Sequence, residues 1–448
     1  MERVHYPDGN VLLRNLTRNF PVISHGQGVY LFDADGKRYF DGSSGALVVS
    51  VGHGNEEVSR RVYEQLRRVA YVNGTQFTTR ATEELATRLC ALAPKGLTRA
   101  CFLGSGSEIV EAAIKFVRQI WVERGEPHRS KVIARMPSYH GNTLYALSLS
   151  GRPHYKKFFG PLLTEVVTTP APYEYRSGLA DYAQDGASHY ARLLEETILR
   201  EGPDTVAAFI AEPVIGSSAG AALPPPGYFS RVSEVCRKYG VLTIADEILC
   251  GSGRTGKFFA SEHFDFVPDL AVLGKGLGGG YVPVSALLVR DDHVEEMRKG
   301  SGSFLHAQTY LQAPSMTASA LAVLEYFEAA QLVARAASVG AILQRRLREE
   351  ILPLPYVGNV SGIGLLAGIE FVEDKKSKKP FPRSKKLIEG LLAHCSENGL
   401  ILWPNTGHAD GVHGDLAMVG PPLTISEAEV EELVQLIRTN ILSHMEKL

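Results

Sequence analysis

Short apolar runs alternate with stretches of helical periodicity along the central part of the chain. Six runs have the length and composition of buried strands: Arg99–Leu103, Val132–Arg135, Val206–Ala211, Val241–Ala245, Leu270–Leu273 and Ser285–Val289. Between several of them apolar residues recur at three- and four-residue intervals, as in Ile109–Val122 and Gly227–Lys238. This alternation predicts a mostly parallel sheet with helices covering both faces.

The N-terminal part of the chain has shorter elements. Two β-rich runs, Gly28–Asp33 and Arg38–Asp41, flank Asp35-Gly36, a dipeptide typical of a hairpin turn. Residues 1–25 are mixed in character and predict an irregular arm or a short helix. Residues 56–70 have the periodicity of a helix.

Towards the C-terminus a helix-rich stretch over residues 315–350 precedes a second alternating region and a final helix that begins at Ser426. The strand-like runs there are Gly362–Phe371, Leu400–Trp403 and Leu416–Val419. We therefore predict an α/β fold with a large central domain and a smaller α/β domain built from both chain ends. The expected boundaries are 1–60 for the N-terminal part of the small domain, 61–325 for the large domain and 326–448 for the C-terminal part.

The composition and charge of the chain exclude two classes of protein. The 448 residues are 44% hydrophobic, and 47 basic against 49 acidic residues give a net charge of −2. A sequence-independent nucleic-acid binder needs a basic face, and an acidic disordered chain needs a strong charge excess, so neither class fits. The chain shows no secretory signal and no long apolar run, and its five cysteines are widely spaced. We expect a cytoplasmic protein with reduced thiols and no membrane partner.

A turn of small residues, Gly104–Ser107, separates a predicted strand from a predicted helix. Ser105 and Glu108 have the S-x-x-E spacing of a capping box. Backbone N–H groups and the positive end of the helix dipole favour a phosphate at such a turn. A capped turn that binds no ligand is the alternative interpretation.

A second glycine-rich stretch is a decoy. Gly251–Lys257 matches the G-x-x-x-x-G-K part of a nucleotide-binding loop, but Phe258 stands where that loop has Ser or Thr. Without that hydroxyl a magnesium ligand is missing, and nucleotide hydrolysis is rejected.

Two residues of opposite charge follow neighbouring strand-like runs. Asp246 closes the run that ends at Ala245, and Lys275 lies among glycines just after Leu273. Ligands of open parallel sheets bind beyond the carboxyl ends of the strands. A buried lysine there would have a lowered pKa and could act as an amine nucleophile. Taken alone, each residue is better explained as an ordinary surface group, a solvated loop lysine or a helix-capping aspartate, because most Lys and Asp side chains are exposed.

Further groups follow other strands at the same predicted edge. Tyr139 and His140 come after Val132–Arg135, and an aromatic ring there could stack on a planar ligand or simply fill the core. Glu212 follows Val206–Ala211. One cofactor, pyridoxal phosphate, explains these features together. Its aldehyde needs a lysine, its ring nitrogen needs a carboxylate, and its phosphate needs a helix N-terminus.

The ordered motifs resemble those of class III pyridoxal-phosphate aminotransferases, the ω-aminotransferase group of fold type I. The resemblance covers nearly the whole chain. It rests on the segments GSGSEIVEAAIKFVR, YHGNT, AEPVIGSSAGAALPPPGYF, ADEILCGSGRTGKFFA, LGKGLGGGYVPVSALL and PPLTIS.

The resemblance implies a role for each candidate residue. Lys275 would form the Schiff base with the coenzyme and move the proton at the substrate Cα, and Asp246 would pair with the pyridinium nitrogen. Thr309 would reach the phosphate from the other subunit of a homodimer with active sites at its interface. The implied coenzyme-binding set is Gly106, Ser107, Tyr139, His140, Glu212, Asp246, Lys275 and Thr309.

The chain departs from the family pattern where a substrate carboxylate would bind. His413 stands where relatives commonly have an arginine, and histidine lacks the bidentate fork of a guanidinium. Carboxylate recognition could fall to another residue such as Arg176. The chain also reads Leu-Gln-Ala-Pro after Tyr310, unlike most relatives. A histidine- and aspartate-rich turn mimics a metal cluster, but such a turn needs no ion, and we expect no metal there; its members are His408, Asp410, His413 and Asp415.

Three functional hypotheses follow. The leading one is an aminotransferase that moves an amino group from a primary amine or ω-amino acid to a keto acid, pyruvate or 2-oxoglutarate, by a ping-pong mechanism. The second is an aminomutase or amino-acid racemase that uses the same coenzyme. The third is a catalytically silent binding protein, for which the joint presence of Lys275 and Asp246 would serve no purpose.

Overall fold

The computed structural model describes residues 3–446. The strands of this part of the chain are β1 Arg3–Val4, β2 Phe20–Pro21, β3 Ile23–Gln27, β4 Tyr30–Asp33, β5 Arg38–Asp41, β6 Leu97–Leu103, β7 Lys131–Met136, β8 Val167–Pro170, β9 Val206–Ala211, β10 Leu242–Asp246, β11 Leu270–Leu273, β12 Ser285–Arg290, β13 Val357–Ile363, β14 Leu366–Phe371, β15 Leu400–Ile401, β16 Trp403–Thr406 and β17 Asp415–Val419.

The helices are α1 Ser44–Leu47, α2 Glu56–Arg68, α3 Arg80–Leu92, α4 Gly106–Glu123, α5 Leu144–Leu149, α6 Pro153–Lys156, α7 Tyr182–Glu201, α8 Tyr228–Lys238, α9 Asp291–Lys299, α10 Pro314–Ala329, α11 Leu332–Glu350, α12 Leu387–Glu397 and α13 Glu427–Met445. None of the helices formed by residues 3–446 is both long and apolar enough to cross a membrane.

A seven-stranded sheet forms the centre of the molecule, in the order β6-β12-β11-β10-β9-β7-β8. Strands β11, β10, β9, β7 and β8 pair in parallel, and β12 runs antiparallel to both of its neighbours. The predicted, mostly parallel sheet is confirmed, and each of the six predicted strands is present. Strand β8 was not predicted, because four residues that include Thr168, Thr169 and Pro170 lack the apolar character of a buried strand.

Helices cover both faces of this sheet. Successive residues of β9 alternate between two hydrophobic clusters, with Phe209 in one and Ala208 and Ile210 in the other. Helix α4 packs its apolar face into the second cluster, and α8 packs into the first through Phe229. The two-sided burial explains why these strands are continuous apolar runs in the sequence.

The two ends of the chain share one smaller sheet. Its order is β15-β5-β4-β3, and β15 pairs in parallel with β5 through Leu400 and Phe40. The predicted hairpin is confirmed as the antiparallel pair β4 and β5. A second four-stranded sheet, β13-β14-β17-β16, is antiparallel throughout.

Two local predictions need correction. The N-terminal arm contains strands β1, β2 and β3 and no helix among its described residues. The predicted helix-rich stretch 315–350 is confirmed and consists of two helices, which are separated at Gln331 by a left-handed backbone conformation. The run Gly362–Phe371 spans a turn between two strands, because Gly364 has a φ of +59°. The boundaries at 60 and 325 stay predictions, and residues 1–2 and 447–448 of those domains lie outside the described part.

Candidate active site

The carboxyl ends of parallel strands bring the predicted polar residues to one cavity of about 190 Å³. Asp246 is the last residue of β10, Glu212 follows β9, and Lys275 comes two residues after β11. His140 follows β7. The cavity is lined by Ser105, Gly106, Ser107, Tyr139, His140, Gly141, Glu212, Ser217, Asp246, Ile248, Leu249 and Lys275.

The first turn of α4 forms one wall of the cavity. The Ser105 hydroxyl caps the helix by accepting a hydrogen bond from the Glu108 N–H at 3.3 Å, which is one half of the predicted capping box. The Ser107 hydroxyl accepts a bond from the Asn142 N–H at 2.9 Å. A Cβ added to Gly106 would lie 3.2 Å from two carbons of Ile248, so the turn passes close to that side chain. The wall presents backbone N–H groups at the positive end of an 18-residue helix.

Asp246 and His140 form a buried pair at the base of the cavity. The His140 Nδ1 atom lies 2.7 Å from the Asp246 Oδ2 atom, and both side chains are almost completely buried. The Asp246 Oδ1 atom accepts a bond from the Ile248 N–H at 3.1 Å. The Ser150 hydroxyl accepts one from the His140 N–H at 2.9 Å. The His140 Nε2 atom is buried and has no hydrogen-bond partner among residues 3–446.

Glu212 is a second buried carboxyl group beside this pair. Its Oε1 atom accepts a bond from the Gly216 N–H at 3.2 Å, whereas Oε2 has no partner within the described chain. The Arg135 guanidinium donates to the Glu212 carbonyl oxygen. Burial raises the pKa of Glu212 above its ordinary value, because the charged form loses its hydration. A group with an unpaired buried oxygen is available to a ligand in the cavity.

Lys275 has an unusual backbone and an altered acidity. Its φ of +44° is a left-handed conformation that non-glycine residues seldom adopt. Removal from water and the positive charge of Arg152 together lower its pKa to about 8, against the opposing effect of Asp246 and Glu212. A larger fraction of the amine is therefore neutral near physiological pH than for an ordinary lysine.

Tyr139 lines the cavity, and its ring contacts Arg152, a residue that was not predicted to belong to the site. The Arg152 guanidinium carbon lies 4.8 Å from the centre of the Tyr139 ring and 5.2 Å from that of Tyr155. Arg152 is buried and also donates to the Ser217 hydroxyl at 2.6 Å. No motif or periodicity marks Arg152 in the sequence, because its partners come from three separate segments.

Three residues predicted from the resemblance lie elsewhere. Thr309 is exposed and outside the cavity of its own chain, and its carbonyl oxygen accepts a bond from the Tyr71 hydroxyl at 2.8 Å. His413 is partly exposed, with its Nδ1 atom 2.7 Å from Asp410 Oδ2. Arg176 donates through Nε to Glu370 at 2.8 Å, so its guanidinium is already paired with a buried carboxylate.

The two decoy motifs have structural roles. The described residues contain no group of three His, Cys, Asp or Glu side chains arranged to hold a metal. Within the histidine- and aspartate-rich turn, His408 lies 3.1 Å from Glu370, and Asp415 accepts a bond from the Ile388 N–H at 3.2 Å. In the stretch Gly251–Lys257, Arg254 is buried and donates to the Leu365 carbonyl oxygen at 3.2 Å.

Comparison with known proteins identifies the family to which this geometry belongs. The sequence profile of the class-III aminotransferases matches residues 14–441. The chain is a class III aminotransferase. It is 40% identical to an uncharacterized aminotransferase, YodT, of Bacillus subtilis, with 95% of this chain and 96% of that protein covered.

Two characterised relatives of this aminotransferase have named substrates. The putrescine–pyruvate aminotransferase of Pseudomonas aeruginosa is 35% identical over 93% of this chain and 89% of its own. The diaminobutyrate–2-oxoglutarate transaminase of Halomonas elongata is 36% identical over 92% and 88%. An (S)-enantioselective ω-transaminase from Thermomicrobium roseum superposes with a TM-score of 0.90 at 37% identity, covering 97% of this chain and 96% of that one.

The fold is therefore that of the fold type I transaminases, and the cofactor of the family is pyridoxal phosphate. The cavity fits this coenzyme. It offers an amine with a lowered pKa, a buried carboxylate and a helix N-terminus, and two of its buried polar atoms, His140 Nε2 and Glu212 Oε2, have no partner within residues 3–446.

Proposed function

We propose that this aminotransferase moves the amino group of a primary amine or ω-amino acid to a keto acid, pyruvate or 2-oxoglutarate, in two half-reactions of a ping-pong cycle. The observation that carries the proposal is the meeting of Lys275 and Asp246 in one cavity beside the α4 N-terminus. The substrate class is supported by the relatives named for putrescine with pyruvate and for diaminobutyrate with 2-oxoglutarate.

Lys275 is proposed to bind the coenzyme covalently and then to move the proton at the substrate Cα. Bound pyridoxal phosphate supplies an electron sink for the pair of electrons that remains when a Cα–H bond breaks. The pKa of about 8 suits the lysine to this work, since the neutral amine accepts a proton and the ammonium returns it. The surrounding glycines leave room for a substrate to approach the amine.

Asp246 is proposed to keep the ring nitrogen of the coenzyme protonated. Its carboxylate is fixed by two contacts, one from the His140 ring and one from the Ile248 N–H. Fixed charge in a water-poor site stabilises an adjacent cation more than a mobile carboxylate in water does. Glu212, whose Oε2 atom is unpaired, is proposed to hold a polar group of the coenzyme from the same edge of the sheet.

The phosphate is proposed to bind at Gly106 and Ser107, and the Tyr139 ring to stack on the coenzyme ring. Thr309 is proposed to complete the phosphate site of a second copy of the chain. Its exposed position outside its own cavity suits that role, since a residue that acts in trans need not reach the site of its own protomer. The active form would then be a homodimer.

The test follows the visible absorbance of the purified holoenzyme with an amine and no acceptor. Putrescine and short ω-amino acids should bleach the band, and pyruvate or 2-oxoglutarate should then restore it with formation of the matching amino acid. A band that no donor bleaches, or an isomerised product formed without any keto acid, would contradict the proposal and favour an aminomutase or racemase. The Lys275→Ala protein serves as the control, since it should give no response to either addition.

A further inference from the structure

Arg152 is a buried, positively charged residue that lies behind the wall of the cavity containing Lys275. It lies immediately before α6, and its side chain is almost fully removed from solvent. Within residues 3–446 no carboxylate lies at ion-pairing distance from it. Burial lowers its pKa, because the charged guanidinium loses its hydration, and the nearby Tyr155 and Glu212 only partly oppose this effect. A cation kept under these conditions needs compensating contacts or a function.

The contacts of Arg152 all point to the wall of the cavity. Its guanidinium lies over the Tyr139 ring and the Tyr155 ring, at 4.8 and 5.2 Å from their centres. It donates through Nη2 to the Ser217 hydroxyl at 2.6 Å. Tyr139 and Ser217 both line the cavity that contains Lys275, whereas Arg152 itself stands behind them.

The backbone explains how Arg152 reaches this position. A Cβ added to the preceding Gly151 would lie 2.7 Å from the Arg135 carbonyl oxygen and 2.8 Å from the Ser138 nitrogen. Only a glycine allows the chain to pass so close to the end of β7. The close passage places Arg152 beside the segment that carries Tyr139 and His140.

We propose that Arg152 is a positioning residue of the coenzyme site, whose guanidinium clamps the Tyr139 and Tyr155 rings and the Ser217 hydroxyl and so fixes the wall against which the coenzyme ring lies. The proposal rests on the proposed function, in which Tyr139 stacks on the coenzyme. The planar shape of the guanidinium suits this role, because it can lie flat on an aromatic ring while its N–H groups donate hydrogen bonds in the plane of the group.

The same side chain also acts on Lys275 through its charge. The charged groups around the Lys275 amine are Arg152 and Arg254, which lower its pKa, and Asp246 and Glu212, which raise it. His154, next to Arg152, has its pKa lowered to about 4 by burial and by the neighbouring cations, so it adds no positive charge at neutral pH. Loss of the Arg152 charge should therefore make the lysine nitrogen easier to protonate.

The test compares Arg152→Gln and Arg152→Lys with Arg129→Gln. Arg129 is the matched control, because it is also buried, lies 4.5 Å from the centre of the Trp121 ring and donates to backbone carbonyl oxygens, but lies outside the cavity. Two quantities are measured on each protein. One is the dissociation constant of pyridoxal phosphate titrated into apoenzyme, and the other is the midpoint of the pH titration of the visible band of the holoenzyme.

Arg152→Gln should raise the dissociation constant about five-fold, because the Tyr139 ring loses the cation that holds it in place, and should move the titration midpoint to higher pH. Arg152→Lys should keep the midpoint, since the charge remains, and should lose part of the affinity. Arg129→Gln should lower the melting temperature and leave both quantities unchanged. If Arg152→Gln does not fold, Tyr155→Leu removes one half of the clamp and should raise the dissociation constant in the same way.

Parent-like values of both quantities in Arg152→Gln, or of the dissociation constant in Tyr155→Leu, would overturn the proposal. An effect confined to a higher KM for the keto acid would also overturn it, because Arg152 would then bind a substrate carboxylate directly. Failure of the proposed function is seen separately, as a covalently bound coenzyme that persists in Lys275→Ala.

Discussion

Two histidine–aspartate pairs in this molecule have the same geometry and different surroundings. His140 and Asp246 approach to 2.7 Å at the end of the central sheet, and His413 and Asp410 approach to 2.7 Å on the turn between β16 and β17. The side chains of the first pair are 0% and 3% exposed, and those of the second are 40% and 50% exposed.

The two pairs differ in whether their polar atoms still lack a hydrogen-bond partner within the described chain. His140 retains a buried Nε2 atom without a partner among the described residues, and Asp246 faces the cavity that contains Lys275. The carboxylate of Asp410 already accepts N–H bonds from Val412 and His413, which close its own turn. The same contact distance thus occurs beside a cavity that contains Lys275 in one region and within an exposed, hydrogen-bonded turn in the other, and burial beside a cavity separates the two.

The largest effect is expected from removing the Lys275 amine, which lies in the same cavity as the buried His140–Asp246 pair. Lys275→Ala should lower the rate of transamination by about 10⁴-fold or more, because the proposed covalent attachment point and proton carrier are lost together. Steady-state assays with a donor and pyruvate measure the loss. Lys257→Ala, an exposed lysine in the glycine-rich decoy, is the control and should keep the parent rate. Near-normal turnover in Lys275→Ala would remove Lys275 from its role.

The second experiment makes the same substitution, aspartate to asparagine, in each of the two histidine–aspartate pairs. Asp246→Asn should retain some coenzyme and lose about 100-fold or more in kcat, because the carboxylate proposed to pair with the ring nitrogen loses its charge. Asp410→Asn, with the same substitution at the same histidine distance, should leave kcat unchanged. Equal losses in the two variants would show that the buried pair has no special part in catalysis.

A third experiment examines the charged cluster that lies between the two regions. Glu370 is buried and bonds to Arg176 and to the Tyr173 hydroxyl. Arg176→Ala should lower the free energy of unfolding by about 3 kcal/mol, since a buried carboxylate loses its guanidinium partner. Urea denaturation measures this change, and Arg298→Ala, which breaks an exposed pair with Glu295, should cost well under about 1 kcal/mol.

The same Arg176→Ala protein also tests the carboxylate-recognition hypothesis. If Arg176 anchors a substrate carboxylate, the KM for the keto acid should rise much more than that for a diamine without a carboxylate. Because its guanidinium is already paired with Glu370, we expect no such selective rise.

The smallest effect concerns the pH dependence of the exposed pair. Hydrogen bonds from His413 and Val412 lower the pKa of Asp410 to about 2, against an ordinary value of 3.8. A carboxylate with a depressed folded-state pKa stabilises the fold above its unfolded pKa, and this contribution disappears as the pH falls through the folded value. Asp410→Asn should therefore cost about 0.5 kcal/mol at pH 7 for this largely exposed group.

The difference between Asp410→Asn and the parent protein should shrink as the pH falls from about 4 and should be lost below about pH 2, where the carboxyl group is protonated in both states. Unfolding free energies across this range give the measurement. A difference that is undiminished at pH 2 would show that the Asp410 charge is not its source.

The central strands and the strand-end residues were predictable for one physical reason. A parallel strand covered on both faces must be apolar over its whole length, and its carboxyl end must meet those of its neighbours at one edge. Asp246, Lys275, Glu212 and His140 therefore meet as expected. The short edge strand β8 was not predicted, because an edge strand of four residues need not be apolar.

The sequence by its local pattern was enough to predict the central sheet and the meeting of Lys275, Asp246 and the α4 N-terminus at one edge of it. Only the tertiary structure decided which charged side chains are paired within the protein and which remain available. Arg176 is joined to Glu370 across 194 positions of sequence, and Arg152 is joined to Ser217 across 65. Local patterns encode secondary structure because their interactions are local, whereas contacts between distant segments exist only after those segments have packed together.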